Sequence, residues 1–153
     1  MIQPLVSQSS LWETSGCIIS SNVLFNNANG VSFYHSDNNT ITYNSILNNG
    51  HGGLQYLGWG IGLLAFSKNN KIYLNNFMDN GENVHSENST NIWNSTEKII
   101  YTYKGKTYTS YLGNYWSDYT GSDTNGDGIT DTPYIVDGDQ DSYPLMEPFE
   151  NYY

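Results

Sequence analysis

Apolar and polar residues alternate along this chain in short bursts, and the bursts recur in one fixed order. Ile19-Ser-Ser-Asn22-Val-Leu24-Phe-Asn26-Asn27 is followed by Ile41-Thr-Tyr-Asn44-Ser-Ile46-Leu-Asn48-Asn49-Gly50, then by Ile72-Tyr-Leu-Asn75-Asn-Phe77-Met-Asp79-Asn80-Gly81. Each unit sets an apolar residue three before a central Asn and a second apolar residue two after it. The first two units lie 22 residues apart and the next two 31, which is 22 plus an insertion over residues 51–59. Upstream, Gly30-Val31-Ser-Phe33 matches Gly60-Ile61-Gly-Leu63, and Ser36-Asp-Asn38-Asn39-Thr-Ile41 matches Ser67-Lys-Asn69-Asn70-Lys-Ile72. The later copy has one extra residue, which predicts a bulge. Alternation with period two predicts strands, and the Asn-Asn and Asn-Gly pairs predict turns between them. No window sustains a helical period.

A unit of about 22 residues with two or three short strands is the size of one coil of a parallel β-solenoid. Stacked coils place equivalent residues roughly 4.8 Å apart. An Asn amide both donates and accepts, so a column of Asn forms a hydrogen-bonded ladder, and Asn tolerates the left-handed conformation of tight corners. The predicted fold is therefore all-β, a short parallel β-helix of three to four rungs. Ile19, Ile41 and Ile72 form one interior column, and Leu24, Ile46 and Phe77 a second. The competing reading, an antiparallel β protein with Asn-marked loops, does not explain why the whole register recurs. A fourth, degraded unit runs through Asn83-Val84 and Asn88-Ser-Thr-Asn91-Ile92, with Ile92, 20 residues after Ile72, close to register. Alternating Tyr and Thr around Lys104-Gly105-Lys106 then predict a hairpin at about 98–112. The expected organisation is rungs over residues 1–97 and a hairpin plus C-terminal cap over 98–153.

The strongest chemical signal is Asp123-Thr-Asn125-Gly-Asp127-Gly128-Ile129-Thr-Asp131. Oxygen-bearing side chains on alternate residues and a Gly at the turn are the spacing by which a short loop wraps Ca²⁺. The expected ligands are Asp123, Asn125, Asp127, the Ile129 carbonyl and Asp131. Position 12 of such a loop is Tyr134 in place of a bidentate Glu, so this is not an EF-hand. Remaining ligation is expected from water or from elsewhere, for example Asp118 or Asp137, Asp139 and Asp141, a cluster that either completes this site or makes another. A structural Ca²⁺ would pin the tail across the last rung, where an open solenoid end exposes core and strand edges.

The repeat, together with Gly113-Asn114-Tyr-Trp116-Ser-Asp118-Tyr119 and the stretch from Asp123 through Pro133-Tyr134 and Asp137 to Tyr143-Pro144-Leu-Met, resembles the NosD-like right-handed parallel β-helix family. The resemblance implies a right-handed coil, an extracellular or cell-surface setting, and a glycan or surface-layer context. It also brings in NosD itself, a periplasmic protein linked to copper-site assembly, as a model for an accessory role. Copper prefers clustered His, Cys and Met, and His35, His51 and His85 are scattered in sequence, so the copper role of NosD is not carried over to this chain. Family members have more rungs, and the start, Met-Ile-Gln-Pro-Leu-Val, lacks the charged and apolar regions of an export signal, so the expectation is a C-terminal piece of a larger exported protein, or a reduced gene product.

Composition narrows the partners. Net charge is −10, no Arg is present, and nine of the fifteen acidic residues follow the last Lys, Lys106. Phosphate binding needs a basic footprint, so nucleic acid is excluded as a partner. At 15% aromatic the chain is not disordered. No apolar run reaches membrane-spanning length. Cys17, the lone cysteine, is expected to be a small buried hydrophobe. Tyr56 and Trp59 in the insertion are candidate glycan contacts, whereas Trp116 is expected in the cap core. Trp93, Tyr115 and Tyr119 stay open between the two roles. Asp37, Asp79, Glu82 and Glu87 form no paired pattern suited to glycosidic cleavage, so no catalytic residue is assigned. A non-catalytic structural or carbohydrate-interacting module is the leading reading; a fragment of a polysaccharide-active enzyme is the alternative. Asn38, Asn88 and Asn94 open N-glycosylation patterns that chance also produces in so Asn-rich a chain. If residues 1–14 are the remnant of a preceding rung, its exposed end favours a homo-oligomer.

Overall fold

The computed structural model describes residues 9–50 and 58–153. The expected N-terminal cap or rung remnant falls partly, and Tyr56 wholly, outside those residues. Strands β1 (Ser9–Trp12), β2 (Ile18–Ser20) and β3 (Val23–Phe25) form a trio. It recurs as β4 (Val31–Tyr34), β5 (Thr40–Thr42) and β6 (Ser45–Leu47), then as β7 (Trp59–Leu64), β8 (Lys71–Tyr73) and β9 (Asn76–Met78). Every strand pairs in parallel with its counterpart one coil on, giving three parallel sheets, β1-β4-β7, β2-β5-β8 and β3-β6-β9. The first sheet is extended by β10 (Glu82–Ser86) and the third by β13 (Tyr115–Trp116). The molecule is thus an all-β parallel solenoid.

The registers are those of the repeat. Ile19, Ile41 and Ile72 are paired in line, as are Leu24, Ile46 and Phe77, and Val31 with Ile61. From the second coil on these side chains are fully buried. Each is a favourable burial of about 1.5–3 kcal/mol, which identical columns multiply with every added coil. Within an Asn-Asn pair the two residues divide the work. The first member (Asn26, Asn48, Asn38, Asn69) takes the left-handed corner conformation, with φ between 53° and 58°. The second turns inward to the ladder. At the corner before Asn22, Asn44 and Asn75 the left-handed residue is Ser21, Tyr43 or Leu74. There the following Asn, and not the corner residue's own chemistry, holds the turn.

Two expectations need correction. The extra residue after Leu63 makes no bulge within a strand. It widens a corner, where Ala65 and Phe66 are both left-handed in place of His35 alone, and the stack resumes as Ser36 N donates to Ser67 Oγ at 3.1 Å. In the degraded unit the register is one residue off the expectation. Asn91 stacks on Asn70, so Ile92 bridges Lys71 and faces outward, while Trp93 takes the buried place over Ile72.

The hairpin forms from β11 (Ile99–Tyr103) and β12 (Lys106–Ser110), with Lys104 and Gly105 both at positive φ as its two-residue turn requires. It is an insertion within the last coil, because the chain returns through Asn114 and β13 to close the third sheet. A second hairpin, β14 (Tyr134–Val136) with β15 (Asp139–Asp141), and a 3-10 turn at Phe149–Asn151 complete the structure. Tyr101, Tyr103, Leu112, Ile129, Leu145, Phe149 and Tyr152 form a second core beside the stack.

Candidate functional site

Three ladders run along the stack, one of them through all four coils. In the best formed, the Nδ2 of each Asn donates to the Oδ1 of the next: Asn22 to Asn44 (3.1 Å), Asn44 to Asn75 (2.9 Å) and Asn75 to Asn114 (3.0 Å). The same oxygens also accept the backbone N–H of the preceding Asn. A parallel ladder joins Asn39, Asn70 and Asn91, and a third joins Asn49 to Asn80.

Two of them end on Asp. Asp141 Oδ2 accepts from Asn114 N (2.7 Å), Asn114 Nδ2 (3.3 Å) and Trp116 Nε1 (3.0 Å), while Oδ1 accepts from Tyr143 N (3.0 Å). Asp139 Oδ2 accepts from Asn91 N (2.8 Å) and Trp93 Nε1 (3.2 Å). Asp137, in the turn of the same hairpin, accepts Ser86 N at 2.8 Å. The alternation in Asp137-Gly-Asp139-Gln-Asp141 therefore serves three columns of the last coil. A terminal ladder member has no further carbonyl to donate to, so a carboxylate, which only accepts, suits it as an amide would not. Gly113 is required beside it: a Cβ there would lie 1.9 Å from Asp141 Oδ1.

Burial pushes the Asp141 carboxyl up to about 7, against the pull of its four N–H donors. Its unfolded value is the ordinary 3.8. A carboxyl raised in the fold adds stability below its unfolded value and loses it as pH climbs through the folded one. This group is expected to lower the stability of the fold by a few kcal/mol between about pH 4 and pH 7, because each tenfold change in proton affinity is worth roughly 1.4 kcal/mol. Glu147, held low first by Lys104 at 2.9 Å, acts with the opposite sign on the acid side. Urea denaturation at pH 4.5 and 7 checks this: Asp141→Asn flattens the slope, whereas a slope identical in parent and variant contradicts it.

The Asp123 loop is folded on itself. Asp123 accepts the N–H groups of Gly126 (2.7 Å), Asp127 (3.2 Å) and Gly128 (2.8 Å); Asn125 Oδ1 accepts Asp127 N (2.9 Å); and Asp127 Oδ1 accepts Ile129 N (2.9 Å). Asp131 accepts Thr124 N and Ser122 Oγ, both at 3.1 Å, closing the loop across its mouth. From below, the hydroxyls of Tyr101 and Tyr108 donate to the carbonyls of Asp127 (2.9 Å) and Gly126 (2.8 Å), and Tyr152 donates to Gly128. The loop is therefore fastened to the hairpin and the C-terminus. Asp118 does not join it: its carboxylate accepts from Asn83 Nδ2 and the Tyr134 hydroxyl. Asp139 and Asp141 are engaged at the ladder ends.

Of the aromatic candidates, Trp59 needs correction. It is 3% exposed, with its ring stacked at 4.7 Å on His85, so its face is closed to a glycan. Trp93 and Trp116 are interior. Trp116 stacks between Phe77 (4.3 Å) and Tyr134 (4.2 Å) and extends the Leu24/Ile46/Phe77 column. Tyr119 packs partly buried against this core. Cys17 is half-buried, and its N–H donates to Asn39. The outward aromatic pair is one the sequence did not single out, Trp12 stacked on Tyr34 at 4.1 Å.

A cleft of about 420 Å³ lies between β10 and the β14–β15 hairpin, lined by Asn83, Glu82, Asp118, Tyr134 and Asp137 among others. At its edge Glu82, His85 and Asp137 bring donor atoms within 4.8 Å of one another, the cluster of this kind among the described residues. Sequence reasoning missed it, since Asp137 lies 52 residues beyond His85 and only the capping hairpin joins them.

The family model described as "Periplasmic copper-binding protein (NosD)" matches residues 7–121. The chain belongs to this NosD family of β-helix proteins. The match takes in every strand of the parallel stack and stops two residues before Asp123. Searches of curated proteins and of solved structures give no match. The family description names copper, and among the described residues the group of three possible metal donors is Glu82, His85 and Asp137, one nitrogen and two oxygens. One imidazole and two carboxylates suit a divalent ion, whereas Cu(I) selects soft thiolate and thioether ligands. No cysteine joins the cluster. Among the described residues no helix is long and apolar enough to cross a membrane.

Proposed function

We propose that this chain is a non-catalytic β-helix module of an exported or cell-surface protein, stabilised by Ca²⁺ in the Asp123 loop. In this reading the coil is right-handed, with three full rungs and a fourth interrupted by the hairpin, and its outer faces meet glycan or surface-layer components. What supports it most is the way the stack ends. An acidic tail supplies the last acceptors of two Asn ladders, and the same tail carries a loop with the ligand spacing of a Ca²⁺ site. Bound Ca²⁺ would take oxygens from Asp123, Asn125, Asp127, the Ile129 carbonyl and Asp131, with water completing the shell, and would relieve the crowding of these carboxylates. Trp12 over Tyr34 supports the glycan arm, because an outward indole offers a sugar a flat apolar face.

Thermal unfolding in CaCl₂ and in EGTA tests the reading. At Ca²⁺ a hundredfold above Kd the gain is about 2.7 kcal/mol, so Tm should fall by roughly 5–10 °C in EGTA. A Tm unmoved by chelation removes calcium from the account. A glycan array probed in calcium tests the second part: binding lost in Trp12→Ala supports it, and no binding to any glycan leaves a structural role alone. The family match favours a second reading, a NosD-like periplasmic accessory protein, and the cleft-edge cluster is the feature of this chain that speaks for it.

A further inference from the structure

We propose that Glu82, His85 and Asp137 form a binding site for a divalent transition-metal ion, Cu²⁺ or Zn²⁺, at the edge of the cleft between β10 and the β14–β15 hairpin. The site is distinct from the Asp123 loop and does not rest on the calcium reading.

Three observations carry it. First, the donors converge from two separately built elements. Glu82 and His85 come from the last strand of the first sheet. Asp137 comes from the turn of a hairpin packed on that end, where it sits at φ 23°, a conformation that favours Gly. Second, the geometry is close to what a metal needs. His85 Nδ1 is 3.7 Å from Glu82 Oε2, and all three donor atoms lie within 4.8 Å. Two donors bound to zinc at about 2.0–2.2 Å stand at most roughly 4.4 Å apart, so small rotations of half-exposed side chains complete the site. Third, the supporting contacts fix the ligands. The imidazole lies flat on Trp59 at 4.7 Å and 11°, and its Nε2 stands 3.7 Å from a Glu87 carboxylate oxygen, near enough to pair with it after a small side-chain rotation. One oxygen of Asp137 is tied to Ser86 N, which sets the carboxylate and leaves it a second oxygen for the ion.

The ligand class follows from the donors. Nitrogen with two oxygens accepts Cu²⁺ and Zn²⁺, with Cu²⁺ tighter by the Irving–Williams order, and offers nothing soft to Cu⁺. Side-chain rotation leaves room for water as the remaining ligand, since the cleft is open on one side. Three carboxylates, Glu82, Asp118 and Asp137, line the cleft and draw cations toward it.

The test is titration of the whole chain, held in 1 mM CaCl₂ so that the Asp123 loop is already occupied. Zn²⁺ is followed by calorimetry and Cu²⁺ by quenching of tryptophan fluorescence and by electron paramagnetic resonance. The expected result is one Zn²⁺ per chain, tighter binding of Cu²⁺ with a single-nitrogen signal, and no binding of Ag⁺ as the soft monovalent probe. His85→Gln, Glu82→Gln and Asp137→Asn each weaken Zn²⁺ at least tenfold, and Glu13→Gln, exposed on the first coil, leaves it unchanged. Circular dichroism spectra matching the parent show that the variants fold. Zn²⁺ binding that survives unaltered in all three variants, absence of any Zn²⁺ binding, or Ag⁺ binding as tight as Cu²⁺ overturns the proposal.

Discussion

Asp141→Ala is expected to be the most damaging single substitution in this chain, lowering the unfolding free energy by about 4 kcal/mol or more. Truncation removes the acceptor of Asn114 N, Trp116 Nε1 and Tyr143 N at once, in a place without solvent access. Each buried donor left unpaired costs about 1–3 kcal/mol. At roughly 2–4 °C per kcal/mol for a chain of this size, Tm should drop by on the order of 10 °C in a circular-dichroism melt. Asp141→Asn keeps an oxygen for Asn114 and Trp116 and should cost well under half as much. Equal losses from the two variants would mean that the capping hydrogen bonds are not what Asp141 contributes.

Asn75→Ala should follow closely, at about 3–5 kcal/mol. Asn75 is fully buried in the middle of its ladder. Its Oδ1 accepts from Asn44 N and Nδ2, and its Nδ2 donates to Ile41 O (2.9 Å), Tyr73 O (3.1 Å) and Asn114 Oδ1 (3.0 Å). Alanine leaves a cavity and strands partners on both sides. Asn75→Asp should be as severe, because a carboxylate cannot donate upward to Asn114. Position in the ladder therefore decides the residue: amide inside, acid at the end. Asn22, half-buried on the first described coil, should lose only about 1 kcal/mol on truncation. Urea denaturation of the three variants measures the gradient, and equal costs at Asn22 and Asn75 would contradict the ladder as drawn.

The repeat was legible because stacking makes each coil obey the same rule, so Asn22, Asn44 and Asn75 announce one another at 22 and 31 residues. The continuation through Asn114 was not legible as part of the repeat. The hairpin separates it from Asn75 by 39 residues and hides the period. The buried place of Trp93 over Ile72 was not read from the sequence because Ile92 looks more like the apolar member of the pattern, while the neighbouring Asn91 is what sets the register. Carboxylates in the tail carry a second ambiguity. Alternate Asp residues suit both a metal loop and the capping of neighbouring columns, and only the placement of Asp139 and Asp141 over Asn91 and Asn114 shows the capping contacts. The cluster of Glu82, His85 and Asp137 had no signal in sequence, since it depends on where the capping hairpin docks.

Native-state hydrogen exchange followed residue by residue tests the central claim, that the coils form one stack closed by the tail. The backbone N–H groups of Asn44, Asn70, Asn75 and Asn114 should exchange together and last, and Asp141→Ala should speed all four by a similar factor. Independent exchange of these four amides, or protection untouched by Asp141→Ala, would contradict it.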